Sequence, residues 1–279
     1  MSQYLGVAYL GPEGTFCEQA AQKYFHDTTS ALITCPTIRE VFYAVEQTKA
    51  AYGVVPVENS LEGSERRTLD LLLEKELLIS GEVDLRVVHN FIVRPGTLLE
   101  HVRMILSHPQ ALAQCRQFLE KHFPKAELRE VSSTARAVQQ LTEVENAAAV
   151  GTEIAAQRYG MEIAYRQIED DLNNFTRFFI LSKEDRMPTG RDKTSLIFSA
   201  KHEPGALFQV LEAFAVRGIN LTKIESRPQR GRPWEYVFYL DFEGHRTEQR
   251  SKEALEAMKE KCIFVKILGS YPKFSDNSS

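Results

Sequence analysis

The chain has 279 residues, of which 43% are hydrophobic and 26% charged, and its formal net charge at pH 7 is −4. This composition is typical of a soluble globular protein, and the length exceeds that of a typical single domain. A small negative charge gives no electrostatic indication of nucleic-acid or anionic-membrane binding, and no apolar run reaches the roughly 20 residues that span a bilayer. We therefore expect no nucleic-acid partner and no membrane partner.

The cysteines and histidines show no metal-binding pattern. The four cysteines (Cys17, Cys35, Cys115 and Cys262) lack CxxC spacing, and the seven histidines form neither HxH nor HExxH. The sequence therefore predicts no metal site. Scattered cysteines are typical of reduced thiols in a cytoplasmic protein. The pattern does not exclude a catalytic cysteine, and it does not favour one.

Strand and helix patterns alternate along the first two thirds of the chain. A short apolar run at 4–11 precedes a helix at 15–25, in which Thr15 and Glu18 have the spacing of a capping box. The next predicted elements are a strand at 50–60, a helix at 67–76, a period-two alternation at 83–95, a strand at 102–107, a helix at 110–123, a strand at 127–131, a helix at 133–141, a strand at 147–151, a helix at 152–160 and a strand at 175–182. This alternation predicts an α/β architecture.

Polar segments follow several of these predicted strands. In open α/β sheets, ligands bind beyond the carboxyl ends of the strands and close to helix N-termini. We therefore expect the segments 11–16, 58–63, 107–110 and 132–134 to surround one cleft. The glycines of the first segment would suit an anion, although an ordinary strand-to-helix turn explains them equally well.

Two of these segments have structural alternatives. Asn59 and Ser60 follow a buried strand, where they can either face a ligand or stabilise a turn. Ser107 and Gln110 can either bind a ligand or cap the helix that follows, and His108 is a second candidate for the cap.

The segment NNFTRFF, residues 173–179, brings amides, a hydroxyl and a guanidinium into an apolar strand. In a regular strand, Thr176 and Phe178 share one face and Arg177 points the other way. Threonine is common in strands, whereas an arginine beside buried apolar surface usually needs a carboxylate or phosphate partner. The segment therefore either lines a binding site or simply begins the strand.

The last third of the chain has a different order of elements. A charged linker with Pro and Gly at 184–193 precedes it. The predicted elements are a strand at 194–201, a helix at 205–217, a strand at 220–227, a hairpin turn at 228–233, a strand at 235–243, a helix at 251–260 and a strand at 263–270. This βαββαβ order is the ferredoxin-like arrangement. Polar residues at 225–227 and a glycine at 205 either form a small amino-acid pocket or belong to a turn and a helix start.

Seven segments in this order resemble motifs of prephenate dehydratase. GPEGTF, VPVENSLEGS, TLDLLL, SHPQALAQCRQFL and NNFTRFFIL resemble its catalytic region. EPGALFQVLEAFAVRGINLTKIESRP and LGSYP resemble its C-terminal ACT regulatory domain. The match runs along nearly the whole chain. No chorismate mutase or prephenate dehydrogenase region is visible, so the chain resembles the monofunctional form.

The resemblance implies a domain organisation. It implies a two-lobed catalytic region at 1–183, similar to a type II periplasmic binding protein, with the active site between the lobes. We expect lobe one at 1–78 and 160–183, and lobe two at 79–159. The linker at 184–193 then leads to a ferredoxin-like ACT domain at 194–272.

The resemblance also implies a reaction and a set of site residues. Prephenate would lose carbon dioxide and hydroxide to give phenylpyruvate, a step of L-phenylalanine biosynthesis that needs no cofactor. The essential threonine of the family's TRF motif is Thr176 here, and we assign it either hydrogen-bond donation or proton transfer to the leaving hydroxyl. The expected substrate contacts are Thr15, Asn59, Ser60, Gly63, Ser107, Gln110, Arg177 and Phe178. For Arg177 the alternative is a bracing role on the strand face opposite Thr176. The family usually continues with Val after ENSLEGS, whereas this chain has Glu65.

For the ACT domain, the resemblance implies feedback inhibition by L-phenylalanine bound between paired domains of a homodimer or homotetramer. The expected contacts are Gly205, Ala206, Leu207, Asn220, Leu221, Glu225, Ser226, Arg227 and Pro228. Two alternatives stay open. One is arogenate dehydratase, which performs the same elimination on the amino counterpart of prephenate. The other, less favoured because the TRF segment is intact, is a non-catalytic amino-acid sensor.

Overall fold

The computed structural model describes residues 6–25, 31–228 and 236–275. The strands in these ranges are β1 (Val7–Leu10), β2 (Leu32–Cys35), β3 (Tyr52–Asn59), β4 (Gly63–Ser64), β5 (Leu78–Arg86), β6 (Asn90–Val93), β7 (Met104–Ser107), β8 (Glu127–Glu130), β9 (Ala147–Gly151), β10 (Glu162–Tyr165), β11 (Phe175–Ser182), β12 (Asp192–Ala200), β13 (Leu221–Pro228), β14 (Tyr236–Glu243) and β15 (Cys262–Pro272).

The helices alternate with many of these strands. They are α1 (Phe16–Phe25), α2 (Ile38–Glu46), α3 (Arg66–Glu74), α4 (Pro109–Gln114), α5 (Arg116–His122), α6 (Thr134–Gln140), α7 (Glu153–Arg158), α8 (Ala206–Ala215) and α9 (Gln249–Lys259), with one 3₁₀ turn at Leu99–His101. In the part of the chain that the structure describes, no helix has the length and apolar character that a membrane crossing requires.

The chain divides into two compact units, and each contains two separate stretches of sequence. The first unit contains Met1–Thr68 and Val83–Phe178. The second unit contains Leu69–Glu82 and Phe179–Ser279. The unit borders therefore fall within α3, β5 and β11 rather than in loops.

The first sheet has the strand order β2-β1-β3-β11-β5, and β4 pairs with β3 at its end. β1 is parallel to both β2 and β3. Helix α2 presents Ile38, Val41, Phe42 and Val45 as buried residues at helical spacing. The side chain of Thr37 caps this helix by accepting a hydrogen bond from the Glu40 N–H at 3.2 Å.

The second sheet has the order β10-β6-β9-β7-β8. Its central strand β9 reads AAAVG and is buried throughout. Alternate residues of this strand belong to different apolar clusters: Ala148 and Val150 pack in one, and Ala147 and Ala149 in the other. A strand that is buried on both faces must be apolar at every position, which explains its unbroken apolar sequence.

The second unit contains an antiparallel sheet of order β13-β14-β12-β15 with helices α8 and α9. Leu196 and Phe242 of the sheet pack with Phe214 of α8 and Met258 of α9 in one apolar cluster. This arrangement confirms the predicted ferredoxin-like βαββαβ order. The hairpin turn predicted at 228–233 lies outside the described residues after Pro228.

The stretch Leu69–Glu82 packs within the second unit through several specific contacts. The Tyr239 hydroxyl donates to the Leu69 carbonyl at 2.9 Å, and Lys193 Nζ lies 2.9 Å from the Glu82 carboxylate. The backbone of Gly269 approaches Ile79 so closely that a Cβ at position 269 would lie 2.2 Å from the Ile79 carbonyl oxygen. A stretch of sequence that precedes β11 by about a hundred residues is therefore part of the core of this unit.

Two strand pairings differ from the lobe borders expected at 78–79 and 159–160. β10 lies in the segment assigned to lobe one, but it pairs with β6 in the second sheet. Most of β5 lies in the segment assigned to lobe two, but this strand is the edge of the first sheet. Periodicity identifies a strand but not its partner, so it could not decide either point.

Several local predictions also need correction. Thr15 and Glu18 do not form a capping box, because Thr15 Oγ1 donates to the Leu10 carbonyl and the Glu18 carboxylate accepts the Gly14 N–H at 2.5 Å. The helix predicted at 110–123 is interrupted at Cys115, whose φ of −115° and ψ of 17° are not helical. The segment predicted as one alternation at 83–95 forms the end of β5 and the whole of β6, with a break between them. Strand β2 and helix α2 were not predicted.

Candidate active site

The first unit contains a cavity of about 550 Å³. Its lining comes from the segments 10–17, 56–65, 87–89, 108–114, 132–134 and 174–178, together with Pro36. All four polar segments that were expected to surround a cleft contribute side chains to it. The lining contains hydroxyl, amide, imidazole and carboxylate groups, but no Lys or Arg among the described residues.

Asn59, at the end of β3, has an amide whose orientation is fixed by the backbone. Its Oδ1 accepts hydrogen bonds from the N–H groups of Leu61 and Glu62, both at 3.0 Å. A backbone N–H can only donate, so the oxygen must face the loop and the NH₂ group must face the cavity. Asn59 Nδ2 lies 2.7 Å from Asn174 Oδ1, 3.0 Å from Thr176 Oγ1 and 3.1 Å from the Phe175 carbonyl oxygen.

Thr176 lies on β11 and faces the cavity, as Phe178 does. Its hydroxyl oxygen accepts from Asn59, and no acceptor for its own hydrogen is recorded among the described residues. Arg177 is not part of the lining, and its guanidinium lies 3.6 Å from the carboxylate of Glu58. The alternation predicted for this strand is therefore observed, and Arg177 has the carboxylate partner that a nearly buried guanidinium requires.

His89 and Gln114 also line the cavity, and the sequence did not single them out. His89 Nε2 and Asn174 Nδ2 each lie 3.0 Å from Gln114 Oε1. Burial lowers the pKa of His89, and the hydrogen bond to Gln114 and the charge of Glu169 oppose this shift only in part. A sequence signal existed for Gln114, which lies one helical turn after Gln110 in α4.

Three expected contacts lie outside the lining. Ser60 Oγ donates to the Asn173 carbonyl at 3.1 Å and accepts the Phe175 N–H at 3.0 Å, so it joins the ends of two segments. Ser107 is fully buried, and its hydroxyl donates to the Val150 carbonyl at 2.7 Å. Arg177 is the third. The other expected residues line the cavity: Thr15, Asn59, Gly63, Gln110, Thr176 and Phe178.

Two further residues of the lining clarify its chemistry. Burial raises the pKa of Cys17 to about 12, so its thiol is protonated at neutral pH and is not a nucleophile. Glu65, where the chain departs from the usual family sequence, lies in the lining, and its carboxylate accepts the Arg67 N–H at 3.0 Å.

The side chain that caps α4 is that of His108 rather than that of Ser107, since His108 Nδ1 accepts a hydrogen bond from the Gln110 N–H.

The second unit contains a cavity of about 380 Å³ lined by residues of β12, α8, β14 and β15. Of the expected phenylalanine contacts, Ala206 and Leu207 line it. Gly205 lies directly before α8 with a φ of +81°, a backbone conformation that favours glycine. The contacts expected at 220–228 lie on or beside the edge strand β13 instead.

Two of the expected residues on β13 are engaged in ion pairs. Arg227 Nη1 lies 2.8 Å from the Asp70 carboxylate, and the Glu225 carboxylate lies 3.3 Å from Lys223 Nζ. Asn220, which precedes the strand, donates to Glu243 at 3.3 Å. The described part of the chain contains no group of three or more His, Cys, Asp or Glu side chains arranged to hold a metal ion.

The two sheets, the polar cavity and the ferredoxin-like unit define a mixed α/β protein of the type II periplasmic-binding-protein kind with an additional ferredoxin-like domain. Comparison with known families gives a specific assignment. Residues 7–186 match the prephenate dehydratase family and residues 194–260 match the ACT domain family. The chain belongs to the prephenate dehydratase family, whose activity is that of a lyase.

Known relatives agree with this assignment. The bifunctional chorismate mutase/prephenate dehydratase of Aquifex aeolicus is 48% identical over 98% of this chain and 75% of the relative. Arogenate dehydratase/prephenate dehydratase 2 of Arabidopsis thaliana is 42% identical over 95% of this chain and 72% of the relative. The solved prephenate dehydratase of Arthrobacter aurescens, in complex with L-Phe, has a TM-score of 0.89 and 33% identity, over 96% of this chain and 90% of that chain.

Proposed function

We propose that this chain converts prephenate to phenylpyruvate in L-phenylalanine biosynthesis. The main structural support for this proposal is the geometry of the Thr176 hydroxyl. The Thr176 hydroxyl faces the cavity, and its oxygen already accepts a hydrogen bond from Asn59 at 3.0 Å. The hydroxyl hydrogen is therefore available to a bound ligand, as the departure of a hydroxyl group from the substrate requires.

The proposed reaction is an elimination whose driving force lies in the substrate. The bond between the ring and its carboxylate breaks, and its electron pair completes the aromatic ring. The bond between the ring and its hydroxyl breaks at the opposite carbon, so carbon dioxide and hydroxide leave. Thr176 donates a hydrogen bond to the departing oxygen. Since threonine is a weak acid, its contribution comes from position and from a preorganised direction of donation.

The neutral character of the donors suits this chemistry. Gln110 and Thr134 line the cavity and can donate to the carboxylates of prephenate. A strong ion pair to the carboxylate that is lost would stabilise the substrate more than the transition state, and it would slow the reaction. Neutral amides and hydroxyls bind the substrate without this penalty.

We also propose regulation by L-phenylalanine at the ACT domain. The Arthrobacter aurescens relative was solved with L-Phe, which supports phenylalanine as a ligand here. Binding must favour a less active arrangement by differential affinity. The expected site, between paired ACT domains, requires a homodimer or homotetramer. Sedimentation equilibrium with and without phenylalanine tests that assembly.

Several finer points belong to the same proposal. We propose that this chain has no chorismate mutase activity, which an assay with chorismate tests. The domain borders proposed are a catalytic region at 1–183, a linker at 184–193 and an ACT domain at 194–272. Cytoplasmic location also stays a prediction, and cell fractionation tests it.

Arogenate dehydratase is the second candidate function. The observation that favours it is the similarity to a plant relative whose name includes both activities. A non-catalytic amino-acid sensor is less favoured, because the TRF segment is intact and Thr176 faces the cavity.

One assay separates these candidates. Purified protein is incubated with prephenate or with arogenate, and phenylalanine is titrated into each reaction. We expect phenylpyruvate from prephenate, and inhibition as phenylalanine rises. Turnover of arogenate alone would replace the proposed substrate, and turnover of neither would support the sensor.

A further inference from the structure

The further inference concerns a chain of side-chain hydrogen bonds that runs from Thr176 to His89. Its links are Thr176–Asn59 at 3.0 Å, Asn59–Asn174 at 2.7 Å, Asn174–Gln114 at 3.0 Å and Gln114–His89 at 3.0 Å. Amide orientations and histidine tautomers have to be assigned from the hydrogen-bond partners. In this row of hydrogen-bonded side chains, the orientation of Asn59 determines the orientation of every other member.

The direction of the first links is forced by the backbone. Asn59 Oδ1 accepts from two backbone N–H groups, so Asn59 Nδ2 is the donor toward Asn174 and Thr176, and its two hydrogens are shared with the Phe175 carbonyl oxygen at 3.1 Å. Asn174 therefore presents its oxygen to Asn59 and its NH₂ group to the next residue. The opposite orientation of either amide would bring two donors together, which costs the free energy of an unmade buried hydrogen bond.

The direction of the remaining links follows in the same way. Asn174 Nδ2 donates to Gln114 Oε1, so this oxygen is an acceptor. His89 Nε2 is the second neighbour of the same oxygen and must carry a hydrogen. His89 is therefore the tautomer protonated on Nε2, which leaves Nδ1 as an acceptor while the ring is neutral.

His89 and Gln114, which lie farthest from Thr176 in this row of hydrogen bonds, each have a polar atom without a partner among the described residues. His89 Nδ1 and Gln114 Nε2 are buried and have no partner within the described residues. Both side chains line the cavity, and His89 is only 2% exposed. Buried polar atoms without partners are rare in folded proteins, and beside a cavity they indicate groups that a ligand satisfies.

We propose that His89 is a positioning residue: in its Nε2–H tautomer it fixes, through this chain of amides, the direction in which the Thr176 hydroxyl donates. The hydrogen bond from His89 prevents the Gln114 amide from turning. A fixed Gln114 holds Asn174, and a fixed Asn174 holds the Asn59 amide against Thr176. This inference rests on the proposed function, because Thr176 donates to the leaving hydroxyl only in that reaction.

A pair of variants tests the positioning role. In His89→Gln the side-chain amide nitrogen reaches the place of Nε2 and can still donate to Gln114. In His89→Asn the shorter amide reaches only the place of Nδ1, and the donor is lost. We expect the kcat of His89→Gln to exceed that of His89→Asn at least about tenfold, with KM values within about twofold of each other. The same two substitutions at exposed His101 provide the matched control and should give equal kcat values.

A second variant tests the assigned direction of donation from Asn59 to Thr176. In Asn59→Asp the carboxylate can still accept from the loop N–H groups, but it cannot donate to Thr176. The Thr176 hydroxyl then donates to that carboxylate instead of to the ligand. We expect kcat to fall about 100-fold in Asn59→Asp. A kcat within about threefold of the wild-type value would overturn the assigned direction.

A measurement on the wild-type chain does not depend on turnover. NMR of the protein labelled with ¹⁵N-histidine should show His89 as the neutral ring with hydrogen on Nε2. A ring protonated on Nδ1 at neutral pH would overturn the inference, as would equal kcat values for His89→Gln and His89→Asn. If the wild-type protein does not turn over prephenate but has the expected tautomer, the proposed function fails and the assigned hydrogen bonds stand.

Discussion

Thr176 illustrates how a residue of ordinary acidity becomes useful through its surroundings. Its oxygen accepts from Asn59, and its side chain faces the cavity from a strand whose next residue, Arg177, is paired with Glu58. The only donor recorded to its oxygen within the described residues is this neutral amide, and no Lys or Arg of the described lining is present to stabilise an alkoxide strongly. The arrangement instead gives the hydroxyl one direction in which to donate, which is the property that a departing hydroxide requires.

Removal of this hydroxyl should abolish most of the activity without loss of the fold. We expect Thr176→Ala to lower kcat for phenylpyruvate formation by at least about 100-fold, since a single preorganised donor contributes an effect of this size. Steady-state kinetics with prephenate, together with circular dichroism, measure the two effects. Thr176→Ser retains the hydroxyl and is the control, with activity well above that of Thr176→Ala. Normal turnover by folded Thr176→Ala would remove Thr176 from the mechanism.

His89 should make the folded protein sensitive to mild acid. Burial lowers its pKa in the folded chain, whereas in the unfolded chain a histidine titrates near about 6.5. The unfolded state therefore binds the proton first as pH falls. Stability that is present above about pH 6.5 is lost below it, by at most about 1.4 kcal/mol per pH unit for one proton.

The His89→Gln variant isolates this contribution. The free energy of unfolding, measured by urea denaturation between about pH 7 and pH 5, should fall less steeply in the variant than in the wild type. His101→Gln, at an exposed position, controls for the loss of a histidine as such. Parallel pH profiles of wild type and His89→Gln would contradict the prediction.

Gly14 has a specific role in the turn between β1 and α1. Gly14 has a φ of +87°, and a Cβ there would lie 2.8 Å from the Ala155 side chain on α7. Its carbonyl accepts from Thr152 at 2.6 Å and its N–H donates to Glu18, whose carboxylate also pairs with Arg158. Space and conformation therefore both favour glycine at this position.

Gly14→Ala should destabilise the protein more than a glycine substitution that adds only backbone strain. Gly190 has a φ of +85° and no atom within 4 Å of a Cβ, so Gly190→Ala is the matched control. We expect Gly14→Ala to cost about 1–3 kcal/mol beyond the cost at Gly190. The urea midpoints of the two variants measure the difference. Equal midpoints would show that the loop moves to accommodate the methyl group.

The expected phenylalanine site depends on two elements of the second unit, the start of α8 and the strand β13. Ser226 is exposed on β13, and Gly205 directly precedes α8 with open space around it. We expect Gly205→Ala and Ser226→Ala to weaken inhibition by phenylalanine while kcat is retained. Calorimetric titration measures phenylalanine affinity directly. Unchanged affinity in both variants would move the pocket elsewhere.

Local pattern was sufficient for some elements and insufficient for others. The period-two alternation of NNFTRFF correctly placed Thr176 and Arg177 on different faces of the strand. The βαββαβ order could also be predicted, because its four strands pair with one another within one short stretch of sequence. Ser107 was expected at the cavity because its segment resembles a family motif, and alternation does not tell that this last side chain of β7 bonds to the Val150 carbonyl inside the sheet. His89 and Gln114 were missed, because their relation to Asn174 depends on strand and helix placement that spacing along the chain does not encode.

The second unit of the molecule contains Leu69–Glu82 as well as the C-terminal part of the chain. Lys193 pairs with Glu82, Tyr239 bonds to the backbone of Leu69, and Gly269 packs on Ile79. Lys193 and Glu82 have side chains that are 13% and 1% exposed, so the loss of either partner leaves a largely buried charge.

A fragment of residues 184–279 should therefore fold poorly by itself. We expect it to show a lower urea midpoint than the corresponding transition of the full chain, since it lacks 69–82. The same fragment with 69–82 joined by a flexible linker is the matched control and should recover much of the difference. A fragment of 184–279 that unfolds cooperatively at the full-chain midpoint would show that the ferredoxin-like part is self-sufficient.

The dependence of the second unit on Leu69–Glu82 also constrains how such an enzyme can evolve. Recombination at the linker would transfer the ferredoxin-like part to a new gene without the helix and strand against which it packs. The recipient would gain a sensor with an exposed apolar surface, and selection would remove most such products. Phenylalanine control in this lineage is therefore expected to have been inherited together with the catalytic region, and gene trees of the two parts should have the same branching order.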